Sequence, residues 1–168
     1  MMSHSKIPDG YRAIPRHDGI FKEEIHDTYQ LKSKLAEPTV CSQCQAVYHQ
    51  GRWQWLTAPA NAHQGTCPAC HRIRDDYPAG YLILQGAFYL EHREEIMRLV
   101  RNHEKHQRTE HPLKRIIKIE ESIDSTLVTT TDIHLVRGMG DAIHHAYQGD
   151  LEFHYNPEEN RLRVYWKR

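Results

Sequence analysis

Little in this chain would take it out of water. In 168 residues no stretch approaches the ~18 consecutive apolar residues of a membrane span. The first 40 residues lack the apolar core of a secretory signal. The expectation is a soluble, cytoplasmic protein without a membrane partner. Net charge is also missing. Lys and Arg total 22, Asp and Glu total 22, and the isoelectric point is near 7.2. A protein that coats duplex nucleic acid usually lies above about 9. No GxxxxGK phosphate loop, GxSxG elbow or HExxH pair occurs. Gly138-Met139-Gly140 lacks a third glycine and sits inside a helical pattern, where it suits close packing of that helix on a sheet. No carboxylate pair has an identifiable companion. These absences point away from an enzyme. Internal repeats and low-complexity tracts are absent as well.

Two residue types stand out, four cysteines and fourteen histidines. The cysteines form two CxxC pairs, Cys41-Ser-Gln-Cys44 and Cys67-Pro-Ala-Cys70, separated by 22 residues. A two-residue gap lets both sulfurs of a pair face one ion, and two pairs supply the four thiolates of a closed tetrahedral zinc site. Such a site leaves no position for a catalytic water. A module this small buries little apolar area, so zinc binding would hold its fold together. Disulfides are disfavoured in a reducing cytosol. A redox CxxC usually stands alone after a strand of a βαβ unit, which is not the setting here. His49, His63 and His71 lie near enough in sequence to act as substitute ligands, but four cysteines complete the shell.

Three regions follow. Residues 1–38 read as an extended or disordered arm, with Pro8, Pro15, Pro38, Gly10 and Gly19 and no sustained period. A turn or two of helix fits Phe21–Leu35. The arm either orders on a partner or is a plain flexible terminus. Residues 39–80 are the cysteine module, a small four-cysteine zinc ribbon with a hairpin whose arms, Ala46–His49 and Arg52–Leu56, flank Gln50-Gly51. Residues 81–168 read as an α+β domain. Tyr81–Leu90 is rich in β formers, and Glu91–Gln107 has a helical apolar spacing. Lys114–Glu121 and Ser125–Thr131 read as strands. Asp132 is placed as the N-cap of a helix carrying Ile133, Val136, Gly140, Ile143 and Tyr147 on one face, with Gly149 as its stop. Leu151–Tyr155 and Leu162–Trp166 alternate as two last strands. The order β-α-β-β-α-β-β matches a ferredoxin-like arrangement with one added strand.

The surroundings of the cysteines have two readings. Trp53 and Trp55 either pack beneath the metal or stack on bases, and packing is the commoner fate. Arg52, Arg72 and Arg74 are either simply solvated or contact phosphates, joined by Lys32 and Lys34 from the arm. His103, His106, His111 and the pair His144-His145 read as solvated or RNA-facing. Adjacent residues on a helix point about 100° apart, so the pair does not easily share a metal.

Cys67-Pro-Ala-Cys70-His-Arg, followed by Gly80-Tyr81-Leu-Ile-Leu-Gln85-Gly, resembles the zinc-binding region of the ribosomal large-subunit export adaptor of eukaryotes and archaea, the third protein named after nonsense-mediated decay. The whole chain is similar to a group of small bacterial zinc-ribbon proteins related to that adaptor. The matching segments are Glu37–Cys41, Val47–Trp53 and Thr131–Arg137 through His145–Leu151. The resemblance implies binding to a ribosome or ribosomal RNA, in assembly or in stress-dependent protection, and a metal-ligand role for Cys41, Cys44, Cys67 and Cys70. The adaptor carries further cysteine pairs, barrel domains and export signals that have no counterpart here, so an export role does not transfer. The competing expectation is a protein–protein adaptor that uses the zinc ribbon and the arm without touching RNA. Charge is distributed unevenly. Residues 39–119 hold 11 basic and 7 acidic side chains, and residues 120–168 hold 5 and 9. The overall neutrality thus joins a positive part, with the cysteines and the first long helix, to a negative one.

Overall fold

The computed structural model describes residues 6–15 and 35–168. Lys32, Lys34 and nearly all of the helix expected over Phe21–Leu35 lie outside those residues. The described chain is a mixed α+β structure with four helices and two sheets.

The arm contributes one strand, β1 (Arg12–Ile14). The cysteine module then forms β2 (Thr39–Cys41), β3 (Val47–His49), β4 (Arg52–Gln54) and β5 (His63–Gly65), in the order β4-β3-β2-β5. The expected hairpin is β3–β4, and its two-residue turn is Gln50-Gly51. Both residues have positive φ, 52° and 80°, the backbone a tight two-residue turn requires. The Glu37 carboxylate accepts from both turn amides, at 3.2 and 2.9 Å. The second cysteine pair departs from a ribbon. It opens a helix, α1 (Pro68–Asp75), with Cys67 as N-cap and Pro68 at the first helical position. Proline has no amide hydrogen and its φ suits a helix start, so Cys-Pro-Ala-Cys favours a helical turn over a second hairpin knuckle.

Beyond the module lie β6 (Gly80–Gln85), α2 (Ala87–Glu91), α3 (Arg93–Glu110), β7 (Ile116–Glu121), β8 (Ser125–Thr130), α4 (Ile133–Tyr147), β9 (Asp150–Asn156) and β10 (Arg161–Lys167). The strand expected over Tyr81–Leu90 ends early. Gly86 has φ +108°, and a Cβ there would strike the Arg168 backbone. The chain turns at that point, and the apolar run behind it becomes α2, with Tyr89 buried and its hydroxyl on Thr126. Asp132 caps α4 as expected, accepting from the Leu135 amide at 2.9 Å. The helix stops at Gln148 and Gly149, both at positive φ.

The large sheet runs β1-β9-β10-β6-β8-β7. Neighbours are antiparallel except β10 and β6. In the expected ferredoxin-like order, the strand after the second long helix would lie beside the first. Here β9 is one place further out, and its hairpin partner β10 occupies that position, parallel to β6. The added strand is internal, and β10 turns Leu162, Val164 and Trp166, all fully buried, into the core beneath the helices. The helices α3 and α4 share one core with Leu82, Leu84, Val128, Leu162, Val164 and Trp166.

The two glycines of α4 differ in what they face. A Cβ at Gly140 would lie 2.6 Å from Val164 Cγ1, a stiff and fully buried neighbour. A Cβ at Gly138 would lie 2.6 Å from Nε2 of His103, the far end of a partly exposed ring. Thermal melts should therefore separate Gly140→Ala from Gly138→Ala. The first is expected to destabilise by about 1–2 kcal/mol, because overpacking outweighs the helix propensity gained. The second is expected to be neutral or stabilising by up to about 1 kcal/mol.

Candidate metal centre

The sulfurs of Cys41, Cys44, Cys67 and Cys70 lie within 4.8 Å of one another. Zinc–sulfur bonds of about 2.3 Å in a tetrahedron set the sulfurs about 3.8 Å apart. Cys44 Sγ and Cys67 Sγ are separated by 3.8 Å, so that edge already has the spacing of a tetrahedral thiolate site. Cys41 ends β2, Cys44 follows in the turn, Cys67 caps α1 and Cys70 lies in its first turn. Cys41 and Cys67 are fully buried, and Cys70 nearly so. No disulfide links any of the four.

Amide hydrogens turn toward the sulfurs. Cys67 N donates to Cys41 Sγ and Cys70 N to Cys67 Sγ, both at 3.3 Å. These bonds suit thiolates, because backbone amides at a helix start favour negative charge. The strongest contact comes from outside the module. Arg115, at the entrance to β7, points its guanidinium Nη2 at Cys70 Sγ (2.8 Å) and Cys67 Sγ (3.5 Å). Burial works against the charge of Arg115, yet the hydrogen bond to Cys70 and the nearby sulfurs hold its pKa above the usual value. The sulfurs of Cys44 and Cys67 lie within hydrogen-bonding reach of one another. This contact pulls the Cys44 pKa down to about 5, and the same contact together with burial pushes Cys67 up. Burial also raises Cys70, against the opposing pull of Arg115.

The cluster is docked on the larger domain. Leu113 packs against it, Trp55 Nε1 donates to the Arg108 carbonyl at 2.6 Å, and Lys118 pairs with Asp76 at 2.7 Å. Trp53 packs against the cysteines and tilts over Tyr48, with centroids 5.5 Å apart. It has the packing role, and Trp55 is the exposed member of the pair, 40 % accessible. Arg52 is exposed on β4. Arg74 is exposed and bonded to Asp75 and His71. Arg72 does not reach the surface as expected. It is 5 % exposed and donates to the Tyr77 carbonyl, because its place on the inner side of α1 turns it toward the chain leaving the helix. The structure thus brings the four cysteines together and leaves Arg52, Arg74 and Trp55 at the surface.

Two features escaped sequence reasoning. Arg115 lies 45 residues beyond Cys70, and no local pattern marks it. The only available signal was that a buried four-thiolate site needs a cation. The second is the outer face of α3. Arg98, Arg101, Lys105 and Arg108 are exposed there at i, i+3, i+7 and i+10, which places them in one stripe. The stripe ends where Trp55 meets the Arg108 carbonyl. Among the described residues, no helix is long and apolar enough to cross a membrane. No family model, curated protein or solved structure matches the chain.

The donor set fits a metal ion that prefers four sulfurs in a tetrahedron. Metal analysis of the purified protein should give one zinc per chain, and Cys44→Ser should abolish stoichiometric retention. Arg115→Gln should weaken zinc binding about 10- to 100-fold in a competition with a chromophoric chelator, the scale of losses seen for outer partners of a metal site. Affinity should fall as pH is lowered from about 8 to about 6, because protons bound only in the metal-free state compete with the ion.

Proposed function

We propose that this is a non-enzymatic zinc-binding protein that associates with the ribosome or ribosomal RNA in the cytoplasm. Zinc would be held by Cys41, Cys44, Cys67 and Cys70 and would serve as a structural ion. Four protein sulfurs close the shell, which leaves no position for substrate or activated water. The observation that carries the RNA reading is the meeting of the basic stripe with the metal module. Arg98, Arg101, Lys105 and Arg108 line one exposed face of α3, and the half-exposed Trp55 is anchored by hydrogen bond at the end of that stripe. Spaced cations beside an aromatic ring suit a strand of RNA, with phosphates on the helix and a base on the indole. Arg52 and Arg74 extend the basic surface of the module. The resemblance of the cysteine segments to the export adaptor and its bacterial relatives supports the same partner. The ferredoxin-like description is proposed only for the run from β6 to α4, where β8 separates β6 from β7.

The overall neutrality fits this reading, because the cations concentrate in residues 39–119 and the acidic excess lies in residues 120–168. Such a molecule binds locally without coating duplexes.

Cosedimentation of the zinc-loaded chain with 70S ribosomes and isolated subunits tests the proposal. Association is expected at low salt and should fall steeply as salt rises. Four phosphate contacts on single-stranded RNA give a logarithmic slope of about −3, and Arg101→Ala with Lys105→Ala should reduce its magnitude by about 1.4. No pelleting at either salt would overturn the proposal. Association that survives nuclease treatment would favour the protein-adaptor reading.

A further inference from the structure

The four cysteines differ in how they are held. Cys41 and Cys67 are fully buried, and Cys70 is 8 % exposed. Cys41 closes β2, and its sulfur accepts from the Cys67 amide at 3.3 Å. Cys70 lies in the first turn of α1, with its sulfur 2.8 Å from the Arg115 guanidinium. Cys44 is the member that lies in a turn, after Ser42 and Gln43 and before Gln45, all three exposed. It is itself only partly buried. Its sulfur stands 3.8 Å from that of Cys67.

We propose that Cys44 is a site of oxidation by hydroperoxides, and that Cys67 captures the oxidised sulfur as a disulfide. The inference rests on the zinc part of the reading above and concerns what removes the ion. Three observations carry it. First, exposure is uneven. An oxidant meets the partly exposed Cys44 before three buried partners, and access together with thiolate character decides which cysteine is oxidised. Second, a resolving sulfur is at hand. An S–S bond is about 2.05 Å long, so closure asks Cys44 Sγ to approach Cys67 Sγ by about 1.8 Å. The exposed turn that carries Cys44 can supply such a shift. Third, the other two sulfurs are tied elsewhere, Cys41 to the Cys67 amide at the end of a strand and Cys70 to Arg115.

The chemistry balances with one peroxide. The Cys44 thiolate attacks one oxygen of hydrogen peroxide, the O–O bond breaks and hydroxide leaves. Cys44 becomes a sulfenic acid, oxidised by two electrons. The Cys67 thiolate then attacks that sulfur, the S–S bond forms, the S–O bond breaks and a second hydroxide leaves. Two solvent protons convert the hydroxides to water. Two of the four thiolates are consumed, so Cys41 and Cys70 alone no longer make a four-sulfur shell. A dithiol reverses the change by exchange, which returns both thiolates.

The test uses the unmutated full chain, loaded with zinc and freed of reductant, so it does not depend on how a variant folds. One equivalent of hydrogen peroxide is added in the presence of a chromophoric chelator, beside a sample without peroxide. Remaining thiols are alkylated, and peptide mass spectrometry maps the disulfides. The expected result is one zinc released for each disulfide formed, with Cys44 joined to Cys67 and with Cys41 and Cys70 still alkylated. Dithiothreitol with added zinc should restore four thiols and one bound ion. Zinc retained with Cys44 still reduced would overturn the proposal. A bond from Cys41 to Cys44 or from Cys67 to Cys70 in place of the expected one would overturn it too, as would Cys44 ending as a sulfinic acid. The two readings fail separately. If metal analysis finds no zinc before peroxide is added, the zinc reading falls and the disulfide map alone decides the oxidation site. If zinc is present and peroxide leaves the four thiols intact, the zinc reading stands and the oxidation site falls.

Discussion

The contact between Arg115 and the sulfurs of Cys67 and Cys70 joins the two halves of this molecule. Four thiolates around a divalent ion carry a net charge of about −2, and burying that charge without compensation is costly. Backbone amides at the start of α1 supply part of the compensation. The remainder comes from a guanidinium held at the mouth of β7, which belongs to the other sheet. The metal module cannot complete its electrostatics alone. It is drawn to the end of the sheet where Leu113 covers the cysteines and Trp55 reaches the last turn of α3. The Arg115 contact, the Leu113 packing and the Lys118–Asp76 pair together dock the module, and that placement sets the exposed Trp55 at the end of α3.

This arrangement gives physical meaning to a neutral composition. The cations of α3 gather next to the cysteine cluster, whose negative charge with a divalent ion bound would be partly offset by Arg115. Arg98, Arg101 and Lys105 of the stripe are exposed, and Arg108 pairs with Glu104 at 3.5 Å. The acidic excess lies in residues 120–168, and its Glu121 lines the same groove as Arg98 and Arg101. On the sheet, the insertion of β10 beside β6 sets Arg163 against Tyr81. The same change in strand order that departs from a ferredoxin-like arrangement lays the Arg163 guanidinium over the Tyr81 ring at 4.5 Å.

The cysteine site was legible because its chemistry is local. Two CxxC pairs need only short-range geometry to aim their sulfurs, and all four sulfurs converge. The N-cap role of Asp132, the hairpin turn at Gln50-Gly51 and the close packing of Gly140 were legible for the same reason. What escaped was long-range. Arg115 depends on pairing that no spacing encodes. The helical continuation of the second cysteine pair depended on Pro68, a local signal that the resemblance to a ribbon obscured. The split of Tyr81–Leu90 into a strand and a helix turned on Gly86, whose positive φ is imposed by the close Arg168 backbone at the far end of the chain. Arg72 shows how an arginine that looks basic in sequence can be spent inside the fold, on the Tyr77 carbonyl.

The central claim is that a metal builds the module that completes the RNA surface. RNA binding by one preparation of the full chain, measured as purified, after zinc removal by a chelator and after zinc is restored, tests it most directly. Affinity is expected to drop when zinc leaves, because Trp55 loses its fixed place beside α3, and to return when zinc is restored. Equal affinity in the metal-free and zinc-loaded states would contradict it.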